Sequence, residues 1–560
     1  MNRILLDYFR NKLRFDLIAG LTVAMIVIPQ AMAYAPIAGV NPIYGLYTAI
    51  IPAIFGAIFG SSNFLVTGPT NPTALVTASV LLLFAGSEHY TEMVFLLAIL
   101  AGVIKLALGV LRLGTIIRFV SNSVLTGFLT AAGVLIITGQ IGHMVGISAG
   151  GANAFQILQR LASGIAGFNY QSALTGLLAA AIIISGARIS RVAPWSLVAI
   201  IASGAWVQLA GWQAHGVRLV VDLGIPDKPL AGFFMPALAA VDALPLVSAA
   251  GAVALFGLVE AMSIAKALSL SSGQRIDPSR ELVGQGLASI AGGFFQCIPS
   301  SGSPSRSALN YNAGAKTRLA AAFSGLFVLL VLAVFARWTA FIPLPALAAV
   351  VILAARGLID RRHIQLTWQS RAASRIVLVT TFAATLLLPL HYAIYLGGLL
   401  SILIYLYESG HLELSYLTVN EEGSFLERRL EDLYQDPPEI AMINIEGDLY
   451  FGAVSDLEAA MDRLLSAGIK VMILRIRRMR RLASTGVSAL QWSVIAARRQ
   501  GTEILICGAG PQALAVLESS GISALVGAEN IFPGSDVLFR STRQALARAQ
   551  MLIRSSAPVQ

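Results

Sequence analysis

Two ionisable residues stand inside strongly apolar sequence: Arg306 in "CIPSSGSPSRSALNYNAGAKT" (297–317) and Glu260 in "LFGLVEAMSIA" (255–265). An ionisable group at such a depth marks a functional site by default. Proline, glycine and hydroxyl residues surround Arg306, and a similar break, "TGPTNPT" (67–73), interrupts the first half of the chain. Pro and Gly prevent a regular helix through each break, and a short helix then restarts. A helix that starts at mid-membrane aims free N–H groups and its positive dipole end into whatever cavity lies there. Two such starts facing each other suit an anion. Arg306 adds a cation, and Ser303, Ser305 and Thr70 add candidate donors. The structural alternative is that Arg306 snorkels to an interface or neutralises a carboxylate while the serines only cap the helix.

Glu260 either pairs structurally with Arg306 or a lysine, or holds a coupling ion, as a protonated acid or beside a bound cation. Both roles are compatible, because an anion would compete with Glu260 for Arg306. Gln30 and Tyr34 lie at i and i+4 on one face of the first apolar segment, where they line the site or, for Tyr34, belong to an interfacial belt.

The elements that must position these groups are membrane helices. The chain has 560 residues, 56% hydrophobic and 12% charged, with a mean hydropathy of +0.75. Soluble proteins carry about 25% charged residues. Repeated apolar runs suffice to cross a hydrocarbon core of about 30 Å, and the alternating strands of a barrel are missing. About fourteen apolar segments start near Asp16, Ile43, Pro72, Met93, Phe119, Gln171, Ala193, Leu246, Leu282, Pro304, Leu319, Ile342, Arg375 and His391. The net charge of +10 sits in short connectors holding Arg112 and Arg118, "RISR" (188–191), Lys266, Arg275, Arg280, "KTR" (316–318) and 356–375. The long connectors 140–170 and 213–245 hold few basic residues. That bias places both termini in the cytoplasm and argues against nucleic acid as the partner. No cleavable signal is read at the N-terminus; "DYFRNKLRFD" is a basic amphipathic lead-in to a retained first span.

Gly68 and Gly302 stand 234 positions apart, and Gln30 and Glu260 stand 230 apart. Two halves of seven segments each would lie in opposite orientation, and paired interruptions of this kind point to a transporter's central site. Beyond Tyr407 the composition turns soluble. We read a transmembrane domain over 1–410, a linker over 411–438, an α/β domain over 439–550 and a tail over 551–560. Cys297 and Cys507 form no disulfide framework or metal-spaced pair, and no catalytic constellation, metal site or cofactor motif is found. "NAGAKT" lacks the glycine a phosphate-binding loop needs before its lysine, which argues against an ATP-driven pump.

The stretch 16–72, "DLIAGLTVAMIVIPQAMAYAPIAGVNPIYGLYTAIIPAIFGAIFGSSNFLVTGPTNP", resembles the opening signature of the SulP anion permeases, the solute carrier family 26 group that includes prestin. "FFQCIPSSGSPSRSALNYNAGAKTRLA" is similar to the family's tenth-segment motif, "GLVEAMSIAKAL" to its eighth segment, and the C-terminal unit to its STAS domain. The resemblance implies a polytopic α-helical homodimer in the bacterial inner membrane. Each chain would have fourteen segments in two inverted seven-segment repeats, with core and gate subdomains and an elevator-like shift of the core. It implies secondary active uptake of an inorganic or small organic anion. Sulfate with protons is the first expectation; sodium-coupled bicarbonate, dicarboxylates and an uncoupled channel or exchanger are the alternatives. The implied binding residues are Gln30, Tyr34, Thr70, Ser303, Ser305 and Arg306, with Glu260 at the coupling position. Pro304 replaces a bulky apolar residue of many relatives, which bears on the choice of anion. In "LASTGV" Ala483 replaces the usual acid beside a possible phosphorylation site at Thr485.

Overall fold

The computed structural model describes residues 2–114, 121–147, 151, 153–190, 193–223, 232–235, 243–479 and 482–556. Arg118, Phe119 and Arg191, used in the topology reading, lie outside them. The chain divides into two compact units, Met1–Ser401 and Ile402–Gln560.

The first unit opens with an amphipathic helix α1 (Asn2–Asn11), followed by α2 (Leu13–Tyr34), α3 (Pro42–Phe59), α4 (Asn71–Val80), α5 (Tyr90–Val110) and α6 (Asn122–Met144). Next come the amphipathic α7 (Ala154–Ser163), then α8 (Tyr170–Ile189), α9 (Trp195–Leu209), α10 (Ala243–Ser272), α11 (Pro278–Phe294) and α12 (Pro304–Asn312). The unit continues through α13 (Leu319–Phe335), α14 (Leu344–Arg356), the amphipathic α15 (Arg361–Gln369), α16 (Ala372–Leu387) and the start of α17 (Leu390–Ser409). Leaving aside α1, α7 and α15, each expected segment has its helix. Among the described residues, eight helices are long and apolar enough to cross a membrane. The ten residues of α4 and nine of α12 extend only about 15 Å at 1.5 Å per residue, roughly half a hydrocarbon core.

Caps and prolines set the boundaries. Asn41 Oδ1 accepts the Ile43 N–H at 3.1 Å to start α3, and Asp277 caps α11 through the Ser279 and Arg280 N–H groups. Thr70 and Thr73 form a reciprocal capping box at the start of α4.

The packing repeats with an offset of seven helices. α2 packs on α13 as α10 packs on α5, α3 on α13 as α11 on α5, and α6 on α16 as α14 on α8. Two-residue strands β1 (Thr67–Gly68) and β2 (Ser301–Gly302) pair antiparallel, so corresponding points of the two halves run in opposite directions. α2, α3, α5, α10, α11 and α13 interlock as one group, and α6, α8, α9, α14 and α16 as another.

The second unit is a six-stranded sheet in the order β4-β3-β5-β6-β7-β8. Its elements are β3 (Glu413–Val419), β4 (Phe425–Arg429), α18 (Leu430–Gln435), β5 (Ile440–Glu446), α19 (Val454–Ser466) and β6 (Val471–Arg478). They continue with α20 (Ser484–Arg499), β7 (Glu503–Ala509), α21 (Pro511–Ser519), α22 (Ile522–Val526), β8 (Ile531–Pro533) and α23 (Arg540–Ser556). β5 to β8 are parallel, while β3 is antiparallel to both β4 and β5. The segment 411–438 expected as a linker thus supplies two strands of the sheet. The tail expected from 551 instead continues α23, whose Ala545 and Ala549 are buried against Leu417, Ile473 and Leu505. After β5, Leu449 makes an isolated parallel bridge to Leu482.

Candidate functional site

β1 and β2 pair through Thr67 opposite Gly302 and Gly68 opposite Ser301. Other bonds satisfy the irregular backbone around them, as a membrane interior demands. Ser303 N–H donates to Val66 O at 3.0 Å, and Val66 N–H donates to Ser307 Oγ at 2.9 Å. Asn310 Nδ2 donates to Phe64 O at 3.1 Å, and Gln285 Nε2 to Thr67 Oγ1 at 2.8 Å. The two interruptions are therefore one structure, with α4 and α12 starting from it.

Arg306, in the first turn of α12, is only 1% exposed. Its Nη2 donates to Pro69 O at 2.7 Å, so it reaches across to the other half's break. Its Nε and Nη1 have no protein partner. Gly68 makes this approach possible, since a Cβ there would lie 2.9 Å from Nη1. Buried donors without acceptors are costly, by about 1–3 kcal/mol each and more when charged. An acceptor placed beside it would meet both nitrogens.

Glu260, on α10, accepts the Thr70 hydroxyl at 3.2 Å, and the Ser301 hydroxyl also faces its carboxylate. Arg306 and Lys105 act on it through space, yet neither forms an ion pair with it within 4.0 Å. The direct structural pairing considered for Glu260 is therefore not the arrangement found. Tyr34 is buried and within electrostatic reach of both Arg306 and Glu260. Gln30, one turn earlier, has a buried Oε1 without a partner.

Thr70 is committed differently from the expectation of a free donor. Its oxygen caps α4 by accepting the Thr73 N–H, its proton is directed at Glu260, and the oxygen also lies 2.8 Å from Thr73 Oγ1. Ser303 occupies the buried N-cap position of α12 without a side-chain capping bond, while Pro304 and Ser305 are exposed. Thr485 belongs to the second unit, exposed in the first turn of α20, whose cap position is Ala483. The structure thus gathers Tyr34, Thr70, Glu260 and Arg306 at one place.

Sequence reasoning missed Lys105 on α5. It is fully buried, donating to Ser300 O at 2.7 Å and Ser289 Oγ at 3.1 Å. The available signal was a lone lysine in "LLAILAGVIKLALGV". A separate cavity of about 510 Å³, with Ser79, Tyr90 and His143 in its wall, contains none of the candidate residues and lies toward the far end of α4 from Thr70.

The sequence pattern of the Sulfate permease family matches residues 13–381, and that of the STAS domain matches 434–537. The chain belongs to the sulfate permease family. Its members are transporters, and an anion is the substrate of this membrane-spanning chain. The "Sulfate transporter 4.1, chloroplastic" of Arabidopsis thaliana is 28% identical over 94% of this chain and 79% of its own. The "Sodium-independent sulfate anion transporter" of Bos taurus is 30% identical over 72% of this chain and 71% of its own. In fold, the murine Solute Carrier 26 family member A9 anion transporter in its inward-facing state superposes with a TM-score of 0.86 at 18% identity, covering 97% of this chain and 92% of that one.

Proposed function

We propose that this sulfate permease family member is a secondary active carrier that takes up sulfate together with protons. The observation that carries the reading is the Arg306 guanidinium, buried with two nitrogens unmet beside two helix starts. A tetrahedral dianion meets those donors and the positive ends of α4 and α12 together, in charge-assisted bonds stronger than neutral ones. Gln30, Tyr34, Ser303 and Ser305 are its further contacts, and Thr70 acts through Glu260. The names of the Arabidopsis and bovine relatives support sulfate.

Glu260 is the proton's carrier in this reading. A charged Glu260 draws on the positive field of Arg306 that the anion needs, whereas a protonated one leaves that field to the anion. Proton and anion then load together. The division of the helices into two interlocking groups supports an elevator movement, with the group bearing β1, β2 and Arg306 moving against α6, α8, α9, α14 and α16. The carrier works as a homodimer in the bacterial inner membrane, surrounded by lipid, with both termini cytoplasmic.

Uptake of labelled sulfate, bicarbonate and fumarate into proteoliposomes, under imposed pH or sodium gradients, tests the reading. Sulfate accumulation driven by an inward proton gradient, and abolished in Arg306→Ala, is expected. Downhill flux unaffected by either gradient would replace the carrier by a channel.

A further inference from the structure

α5 is apolar through its membrane-spanning length except at Lys105. A lysine near a helix end snorkels to the interface. Lys105 does not: its side chain is 0% exposed and turned into the protein. The ammonium donates to Ser300 O at 2.7 Å, and Ser300 immediately precedes β2, so this carbonyl belongs to the interrupted backbone. A second donation reaches Ser289 Oγ on α11 at 3.1 Å. Gly257 on α10 leaves room for it, since a Cβ there would lie 3.2 Å from Nζ. Glu260 follows Gly257 by three residues, about one helical turn, and its carboxylate acts on Lys105 through space.

A backbone carbonyl freed by a helix break, a hydroxyl and a nearby carboxylate form the kind of oxygen set with which interrupted-helix transporters hold a sodium ion. Here a monovalent cation attached to the chain fills it. We propose that the Lys105 ammonium is a tethered substitute for a coupling sodium ion, so that this carrier runs without sodium. The driving cation must then be taken up at Glu260 itself. The inference rests on the anion-carrier reading above and goes beyond it, assigning cation selectivity to a residue outside the anion's contacts.

The test uses the full chain in proteoliposomes, with labelled sulfate, an inward proton gradient, and either sodium or N-methylglucamine as the monovalent cation. Wild type should show the same rate in both media, within about twofold. Lys105→Ala removes one of the two cations acting on Glu260 and opens space, so uptake in N-methylglucamine should fall at least about tenfold, the scale expected when one partner of a buried charge set is removed. Sodium should restore it several-fold. Lys105→Met, which fills the space with an apolar stem, should stay inactive in both. A sodium requirement in wild type overturns the proposal, as does full uptake by Lys105→Ala in N-methylglucamine. So does a Lys105→Ala protein that melts like wild type yet gains nothing from sodium, because sodium then does not stand in for the ammonium. Should Lys105→Ala fail to fold, Lys105→Arg keeps the charge and must remain indifferent to sodium; a newly acquired requirement refutes the inference. No uptake of any anion by wild type in either medium would instead overturn the carrier reading, and this inference with it.

Discussion

The Thr70 hydroxyl, which starts α4 in the first repeat, bonds the Glu260 carboxylate of the second repeat across 3.2 Å. One side chain thus serves as the cap of a half-helix and as a donor to the only acid in the middle of α10. A change in the charge of Glu260 is felt directly at the start of α4.

Glu260→Gln should therefore fold, because a buried neutral amide still accepts from Thr70. It should keep anion exchange but lose accumulation driven by a proton gradient. Counterflow of labelled sulfate beside gradient-driven uptake separates the two activities. Thr70→Val removes the cap and the donor together, at about 1–3 kcal/mol for the acceptor left unmet, and should lower the melting temperature as well as uptake.

Gly68→Ala should weaken the anion site while leaving every donor side chain unsubstituted. The new Cβ would meet Arg306 Nη1 at 2.9 Å, closer than real Cβ contacts allow, so the guanidinium must move. The atom met is the tip of a long side chain, so the change falls on the position of the guanidinium more than on the fold. A sulfate titration of purified Gly68→Ala should show affinity reduced about tenfold or more, with the protein still folded by thermal melt. Unchanged affinity would mean that Arg306 does not hold the anion from this position.

The two breaks were legible because Pro69, Pro72, Pro304 and their hydroxyl neighbours stand out against apolar runs. Their pairing was not, since two-residue strands have no alternation to read. Lys105 stayed hidden because a single lysine in an apolar helix gives no sign of which way it turns. In the second unit, parallel strands such as "VMILRIR" announce themselves as apolar runs. β4 lies at the sheet edge with Leu426 to Arg429 exposed, and its charges read as a linker until β3 is seen pairing with β5. The far end is similar: α23 is rich in arginine, and it packs through buried Ala545 and Ala549 with the partly buried Leu546, Leu552 and Ile553 around them.

Asp16 should prove a structural acid, distinct from Glu260 in role. It is fully buried, and its Oδ1 accepts the Lys316 and Thr317 N–H groups at 2.7 and 3.0 Å while Oδ2 accepts the Thr317 hydroxyl at 2.5 Å. It thereby ties α2 to the turn before α13. Hydrogen bonds to a charged acceptor contribute about 1.5–3 kcal/mol each, so Asp16→Ala should lower the melting temperature markedly. The pH dependence of uptake by the surviving folded fraction should match wild type. A shifted pH profile would give Asp16 a part in coupling.

In the second unit, α20 starts without a side-chain cap. Ala483 holds the cap position with extended backbone (φ −79°, ψ 164°), and its own N–H is engaged by Leu449 O at 2.9 Å. That backbone already suits a capping residue, so Ala483→Asp needs no rearrangement. The new carboxylate can accept the N–H of Thr485 or Gly486 and sits at the positive end of the helix dipole. Capping residues exceed alanine by about 0.5–2 kcal/mol. Hydrogen exchange on the full chain should show first-turn amides of α20 protected about fivefold or more in Ala483→Asp, with membrane-helix amides unchanged. The same free N–H groups would meet a phosphate on exposed Thr485, so phosphorylation there should protect the same amides. Destabilisation of α20 by the aspartate would instead show that these N–H groups are already satisfied.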